Sequence, residues 1–167
     1  FHDLALARTN DKSLVGQDLD RAVQCLRNLA REDEADTFRE QVIELHAQNW
    51  RLLRAAAHSY AGSTHYGYIV AGKFYRGEKR GGGEMVSSLE RDRVRALQLM
   101  QQALPLVKEE TDKTAASEFY LEFARQLLQG RGYLDAWQLQ ALTDLSTLPD
   151  YEKTPYFGWW RGQGGNP

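Results

Sequence analysis

An all-α chain, folded as a tetratricopeptide-like array of about seven helices, is what this sequence predicts, on three observations. Leu and Ala number 40 while Val and Ile number only 9, so the apolar mass consists of helix formers rather than strand formers. Glycine and proline are absent between Gly16 and Gly62, and from Glu84 to Gln129 the only breaker is Pro105, which leaves room for helices of several turns. Apolar residues recur at helical spacing through both stretches. With 167 residues and 42% apolar content the chain can bury a core without disulfides or metal.

Taken in order, Leu19, Ala22, Val23, Leu26 and Leu29 mark a first helix. Glu32, Asp33 and Glu34 interrupt it, and Ala35, Phe38, Val42, Ile43 and Leu45 resume the period, which reads as a helix pair with an acidic turn. Trp50, Leu53, Ala57 and Tyr60 carry a third helix, and Ser59 to His65 turns the chain into a fourth helical segment around Tyr68, Ala71, Phe74 and Tyr75. A Gly-rich insertion at 77–86 follows. Ser87-Ser88-Leu89-Glu90 has capping-box spacing and opens a helix through Val94, Leu97, Met100 and Leu104, which Pro105 is expected to kink or end. Thr111 to Gln129 and Tyr133 to Leu145 complete the set. The expected organisation is an N-terminal linker or fragment edge at 1–14, a helical-repeat domain at 15–148 and an aromatic-rich C-terminal linker at 149–167.

Helix pairs joined by short turns bury their faces by stacking on neighbours, so a repeat is expected. Tyr120, Phe123, Ala124, Leu127, Tyr133 and Ala136 fall on the tetratricopeptide order of large and small residues, with Pro149 near the usual repeat end. Trp50, Leu53, Ala57, Tyr68, Ala71 and Tyr75 repeat that order with a longer turn.

Charge gives little direction, because 21 basic residues against 23 acidic leave a net of -2. Nucleic acid and anionic membranes are not default partners for such a chain. The single Cys25 closes no internal disulfide, and its place on the apolar side of the first helix reads as a small buried thiol. No apolar run approaches the length of a membrane span. The opening FHDLALARTN and the ending WWRGQGGNP read as those of a fragment or processed chain.

Motifs with chemical content are few. Gly67 to Lys73 has phosphate-loop spacing but lacks the closing Ser or Thr that would ligate magnesium, and Tyr-Ile-Val-Ala inside it is apolar, so a packed helix is the expected structure and a nucleotide site the remote alternative. Arg76, Lys79 and Arg80 beside Gly81-Gly82-Gly83 form a basic flexible stretch and are partner-binding candidates suited to an anion or RNA contact, though a single Arg-Gly-Gly unit with no aromatic platform interleaved argues against nucleic acid. His2, His46, His58 and His65 lack metal-ligand spacing, so no metal or cofactor is expected. The acidic clusters at 32–34 and at Glu109, Glu110 and Asp112 sit before helices, where the helix dipole favours carboxylates. On the concave side of a tetratricopeptide array, Arg51, Arg54 and His58 beside Trp50 are candidates for holding an acidic or extended peptide. Tyr151, Tyr156, Phe157, Trp159 and Trp160 crowd five aromatics into ten residues, and Trp159 and Trp160 are candidates for docking on this chain's last helices or on a neighbouring domain.

The strings EADTFREQVIELHAQNWRLLRAAAHSY, HYGYIVAGKFYRG, SLERDRVRALQLMQQALP and GRGYLDAWQLQALTDLSTLPDYE together resemble the helical N-terminal region of large bacterial alpha-2-macroglobulin-like proteins, over residues 15 to 152. The resemblance implies an accessory helical module of a protease-trapping protein of the periplasm or cell envelope, working through other domains of its parent chain. The thioester motif of that family has no counterpart, since the only cysteine reads Cys25-Leu26-Arg27-Asn28. No catalytic residue carries over, and the expected role is a non-catalytic protein-interaction or scaffold module. A stand-alone peptide-binding adaptor is the alternative, and it requires an open groove at Arg51, Arg54 and His58.

Overall fold

Val15, Leu19, Ala22, Val23 and Leu26 line one stripe of a helix and are all buried, so helix α2 (Val15–Asn28) forms where the period places it. The computed structural model describes residues 1–7, 11–78, 82–128 and 145–153. Before α2 lies the short α1 (His2–Leu6), packed on α2 and on α3 (Ala35–Leu45), with Ala5 fully buried. The segment expected to be a linker is thus part of the fold. Helix α2 ends without glycine, because Ala30 adopts a left-handed φ of 55° and the Arg31 N–H closes on the Leu26 carbonyl at 2.9 Å. A 3-10 turn at Glu32–Glu34 then leads into α3, as the acidic interruption suggested.

Helix α4 (Trp50–Ala61) begins at Asn49, whose side chain accepts from the N–H groups of Arg51 and Leu52. Leu52, Leu53, Ala56 and Ala57 are all fully buried, which makes α4 the central rod of the molecule. It packs on α2 and along α5 (Leu89–Lys108), whose Leu99, Met100 and Ala103 are equally enclosed. Full burial of such a Leu stabilises by roughly 1.5–3 kcal/mol, so these few side chains dominate the helical core. Helix α5 runs through Pro105, which neither ends it nor interrupts its assignment. Pro105 lies on the exposed face, where the carbonyl it leaves unpaired meets solvent. Helix α6 (Lys113–Leu128) follows, capped by Asp112, which accepts from the N–H groups of Thr114 and Ala115. Phe119 is its buried anchor, set edge-on to Trp50 with ring centroids 5.8 Å apart.

The all-α expectation fails in one place. Residues 66–76, expected to be a fourth helix, form a β-hairpin of β1 (Tyr66–Val70) and β2 (Lys73–Arg76), joined by β3 (Glu84–Ser87) and β4 (Glu152–Lys153) in the antiparallel order β2-β1-β3-β4. The cause is local. Tyr66, Tyr68, Ile69, Val70, Phe74 and Tyr75 are β-branched or aromatic, and Ala71 and Gly72 both take positive φ, 49° and 77°, as a two-residue primed turn demands. The aromatic-and-small order read as a repeat was therefore a strand alternation, and the pair expected after α4 has no second helix. Six helices and four strands stand among the described residues, which are mostly helical. The helix expected at Tyr133 to Leu145 lies outside them, apart from Leu145.

Two neighbouring readings change with the hairpin. The insertion at 77–86 contains the start of β3, and residues 149–153, expected to begin a linker, pack instead. Arg91 Nη1 donates to the Pro149 carbonyl at 2.7 Å, Tyr151 stacks on Phe74 at 4.3 Å, and β4 completes the sheet against β3. That stacking is possible because Gly67 has no side chain: a Cβ there would lie 2.2 Å from the Tyr75 carbonyl oxygen and 2.6 Å from the Phe74 ring. Gly67→Ala is therefore expected to cost about 1–3 kcal/mol as an overpacking change. Urea unfolding of the variant checks this, and an unchanged midpoint would contradict the packing described.

Candidate functional site

Polar chemistry in this molecule gathers in two buried or half-buried clusters, and each includes a carboxylate that interrupts an apolar helical stripe, Asp92 in one and Glu122 in the other. The first centres on Arg76, at the end of β2 and 3% exposed. Its Nη1 and Nη2 donate to Asp92 on α5, both at 2.8 Å, while Nε and Nη2 donate to Asp36 on α3 at 3.0 and 2.9 Å. Nη1 also reaches the Ser88 hydroxyl and the Thr64 carbonyl. Ser88 in turn donates to Asp92 at 2.8 Å, so this residue at the start of α5 spends its hydroxyl on the cluster, while Ser87, the first residue of the expected capping box, accepts from the Leu89 N–H at 3.2 Å. His65 joins it, with Nδ1 2.9 Å from Asp92 and Nε2 3.1 Å from the Ala61 carbonyl.

Arg39, 1% exposed, shares Asp36 at 2.8 Å and donates to the Ser59 hydroxyl and carbonyl. Two guanidiniums and two carboxylates thus balance in the interior, the arrangement that makes buried charge tolerable. Burial pushes the Asp92 carboxyl up, but hydrogen bonds from His65, Arg76 and Ser88 outweigh it and hold the group below its ordinary value. For Arg39 burial dominates and lowers its pKa.

The second cluster is a polar seam between α4 and α6, and it takes up the residues predicted to line a peptide groove. Arg51 Nη1 donates to Glu110 at 2.7 Å, and Trp50 Nε1 donates to the same oxygen at 3.0 Å. The N–H of Asp112, then Trp50 and Arg51, hold the Glu110 carboxyl down at about 2. Arg54 Nε donates to Glu122 at 2.5 Å, and His58 Nε2 lies 2.5 Å from the other oxygen of Glu122. Sequence brought Arg51, Arg54 and His58 onto one face of one helix, and the structure keeps them there. The face does not line an open groove, since the carboxylates of Glu110, in the turn before α6, and of Glu122, on α6, occupy it. Hydrogen bonding to Glu122 raises the His58 pKa above 6.5, against burial and Arg54, with Asp20 of α2 adding attraction.

Other predicted positions divide plainly. Arg76 is not part of a flexible basic stretch but is buried as described, and Lys79, Arg80, Trp159 and Trp160 lie outside the described residues. Gly67 to Lys73 is a strand and a tight turn leading into another strand, so neither the expected packed helix nor a phosphate-cradling loop before a helix forms there. Cys25 is exposed, not buried, because it lies a residue off the stripe of Ala22 and Leu26. His46 Nε2 is 3.0 Å from the Ala5 carbonyl, and His2 stacks on Phe38. Among the described residues no group of three His, Cys, Asp or Glu side chains could hold a metal ion. No described helix is long and apolar enough to cross a membrane.

Sequence reasoning missed Arg39, Asp36, Asp92, Ser88 and Glu122. A usable signal existed: Asp92 is in phase with Ala96, Leu99 and Ala103, and Glu122 with Phe119 and Gln126, so each is a polar residue on a buried face. Comparisons with known protein families, with curated proteins and with solved structures find no match for this chain.

Two measurements follow from these clusters. Arg76→Leu leaves the buried Asp92 carboxylate without its guanidinium and is expected to cost about 3–5 kcal/mol in urea unfolding; a loss below about 1 kcal/mol would show that the cluster holds nothing. Because the folded pKa of His58 is raised, its contribution is full below pH 6.5 and disappears as pH rises through the folded value. The gap in melting temperature between the native chain and His58→Gln should therefore close from pH 6 towards pH 9, and a gap constant with pH refutes the pairing.

Proposed function

We propose that this chain is a non-catalytic interaction or scaffold module, a helical piece of a larger protein resembling the bacterial alpha-2-macroglobulin-like protease traps of the cell envelope. The observation that carries the reading is the use of its polar chemistry. Arg51, Arg54, His58 and Arg76 each join one element to another, with Glu110, Glu122, Asp36 and Asp92 as partners. Side chains engaged in this way fix a shape and present its outer surface. They are not poised to exchange protons or electrons with a small substrate, for which a catalytic pair would need to face a cleft within reach of reacting atoms.

The adaptor alternative loses its main support, because Glu110 before α6 and Glu122 on it already answer the groove cations. A tetratricopeptide-like origin remains part of this reading for the α2–α3 and α5–α6 hairpins, interrupted by the sheet. The test is capture from envelope extract by the 167-residue chain and by its Arg51→Ala, Arg54→Ala, His58→Ala triple variant. A shared set of captured proteins, with a lower melting temperature for the variant, is the expected result. Capture abolished by the triple change in a still folded variant would restore the groove reading. A melting shift with millimolar magnesium nucleotide would overturn the scaffold reading in favour of a nucleotide site.

A further inference from the structure

Helix α6 is apolar on two sides. Its inner side, with Ala116 and Phe119, belongs to the core. Its outer side carries Ser117, Tyr120, Leu121, Ala124, Leu127 and Leu128, the i, i+3, i+4, i+7, i+10 and i+11 spacing of a helix-packing stripe. Tyr120 is 43% exposed, Leu121 54%, Leu127 42% and Leu128 56%, and these four are among nine exposed large hydrophobic side chains in the described residues. The other five, Phe1, Leu4, Leu14, Leu29 and Leu89, are spread over other elements. Concentration on one helix face, not exposure itself, sets α6 apart.

We propose that this face pairs with the same face of a second copy of the chain, the two α6 helices running antiparallel. The spacing calls for a helical occupant, and Ser117 and Ala124, small residues one heptad apart, let two helix backbones approach. Charge then selects which helix. One flank of the stripe carries Glu118 and Arg125, both exposed and seven residues apart, hence in phase on a helix. A twofold axis opposite the midpoint of the stripe, between Leu121 and Glu122, sets Glu118 of one copy level with Arg125 of the other, and does so twice. Parallel pairing would turn this flank of one copy away from the same flank of the other, so that Glu118 and Arg125 would not meet. A uniformly acidic or basic partner would satisfy one of the two charges and repel the other. Glu118 is available for this exchange, since its contact within the chain is a long one, 3.9 Å from Arg54, with the side chain 62% exposed. The inference goes beyond the scaffold reading and does not rest on it: it concerns the surface, whatever the parent protein does.

Sedimentation velocity of the 167-residue chain from about 1 to 200 μM, with far-UV circular dichroism to verify folding, tests the pairing. A concentration-dependent dimer is expected, converted to monomer by Leu121→Glu. Glu118→Arg and Arg125→Glu should each raise the dimer Kd at least about tenfold, and the double swap should bring it back to within about threefold of the native value. These two changes are at exposed positions, so they carry the test even if Leu121→Glu fails to fold. A monomer throughout the range overturns the proposal, as does a dimer indifferent to Leu121→Glu. A double swap that restores nothing overturns the antiparallel register. Leu121→Glu that lowers the melting temperature with no change in sedimentation would show the face covered by this chain's own residues, and would also overturn it.

Discussion

The guanidinium of Arg76, enclosed between Asp36 and Asp92, is the interaction on which the arrangement of sheet and helices depends. Four short strands, one of them only Glu152–Lys153, do not make a sheet that is stable alone. A single planar group with five donors ties β2 to α3, to α5 and to the turn after α4, and no apolar contact could impose that orientation as strictly. Removing any one partner leaves a charge in the interior, so the cluster exists whole or costs heavily. Ser88 and His65 serve to satisfy the remaining lone pairs of Asp92.

Much of the helical half was legible. The stripes of α2, α3, α4 and α5 follow the apolar period, and the acidic turn after α2 lies where Glu32, Asp33 and Glu34 break it. The hairpin was not legible by the same rule, because Tyr68, Ala71, Phe74 and Tyr75 satisfy a helical spacing while their neighbours alternate with period two. Local propensity, with Ile69, Val70 and four aromatics in the stretch, was the better guide than spacing. Ends were the weak point elsewhere too. A left-handed Ala30 terminates α2 where glycine would be expected, and Pro105 sits inside α5 because its ring faces solvent.

The candidate site was legible only as a set of cations. Sequence places Arg51, Arg54 and His58 on one helical face, but it does not say that the carboxylates of Glu110 and Glu122 arrive there from far along the chain. A face with unsatisfied charge and a face whose charge is satisfied within the chain look alike in one dimension. The distinguishing information was present in α6 itself, where Glu122 and Gln126 sit in phase with Phe119 and must face inward. Polar residues on a buried stripe of one helix imply complementary polar residues on the helix it packs against.

Strand β4 pairs with β3, and the whole of α5 and α6 lies between them in the chain. The sheet is thereby a clasp that brings the two ends of a long helical excursion side by side. Topologically, α5 and α6 behave as an insertion in a small antiparallel sheet whose strands β1, β2 and β3 are close neighbours in sequence. Closing such a loop carries an entropic cost that short-range hairpins escape, so the three-stranded part and the helical hairpins can assemble first and the clasp last. The chain's final described strand is then a reporter of completed folding, since it pairs with β3 across the stretch of sequence that holds α5 and α6.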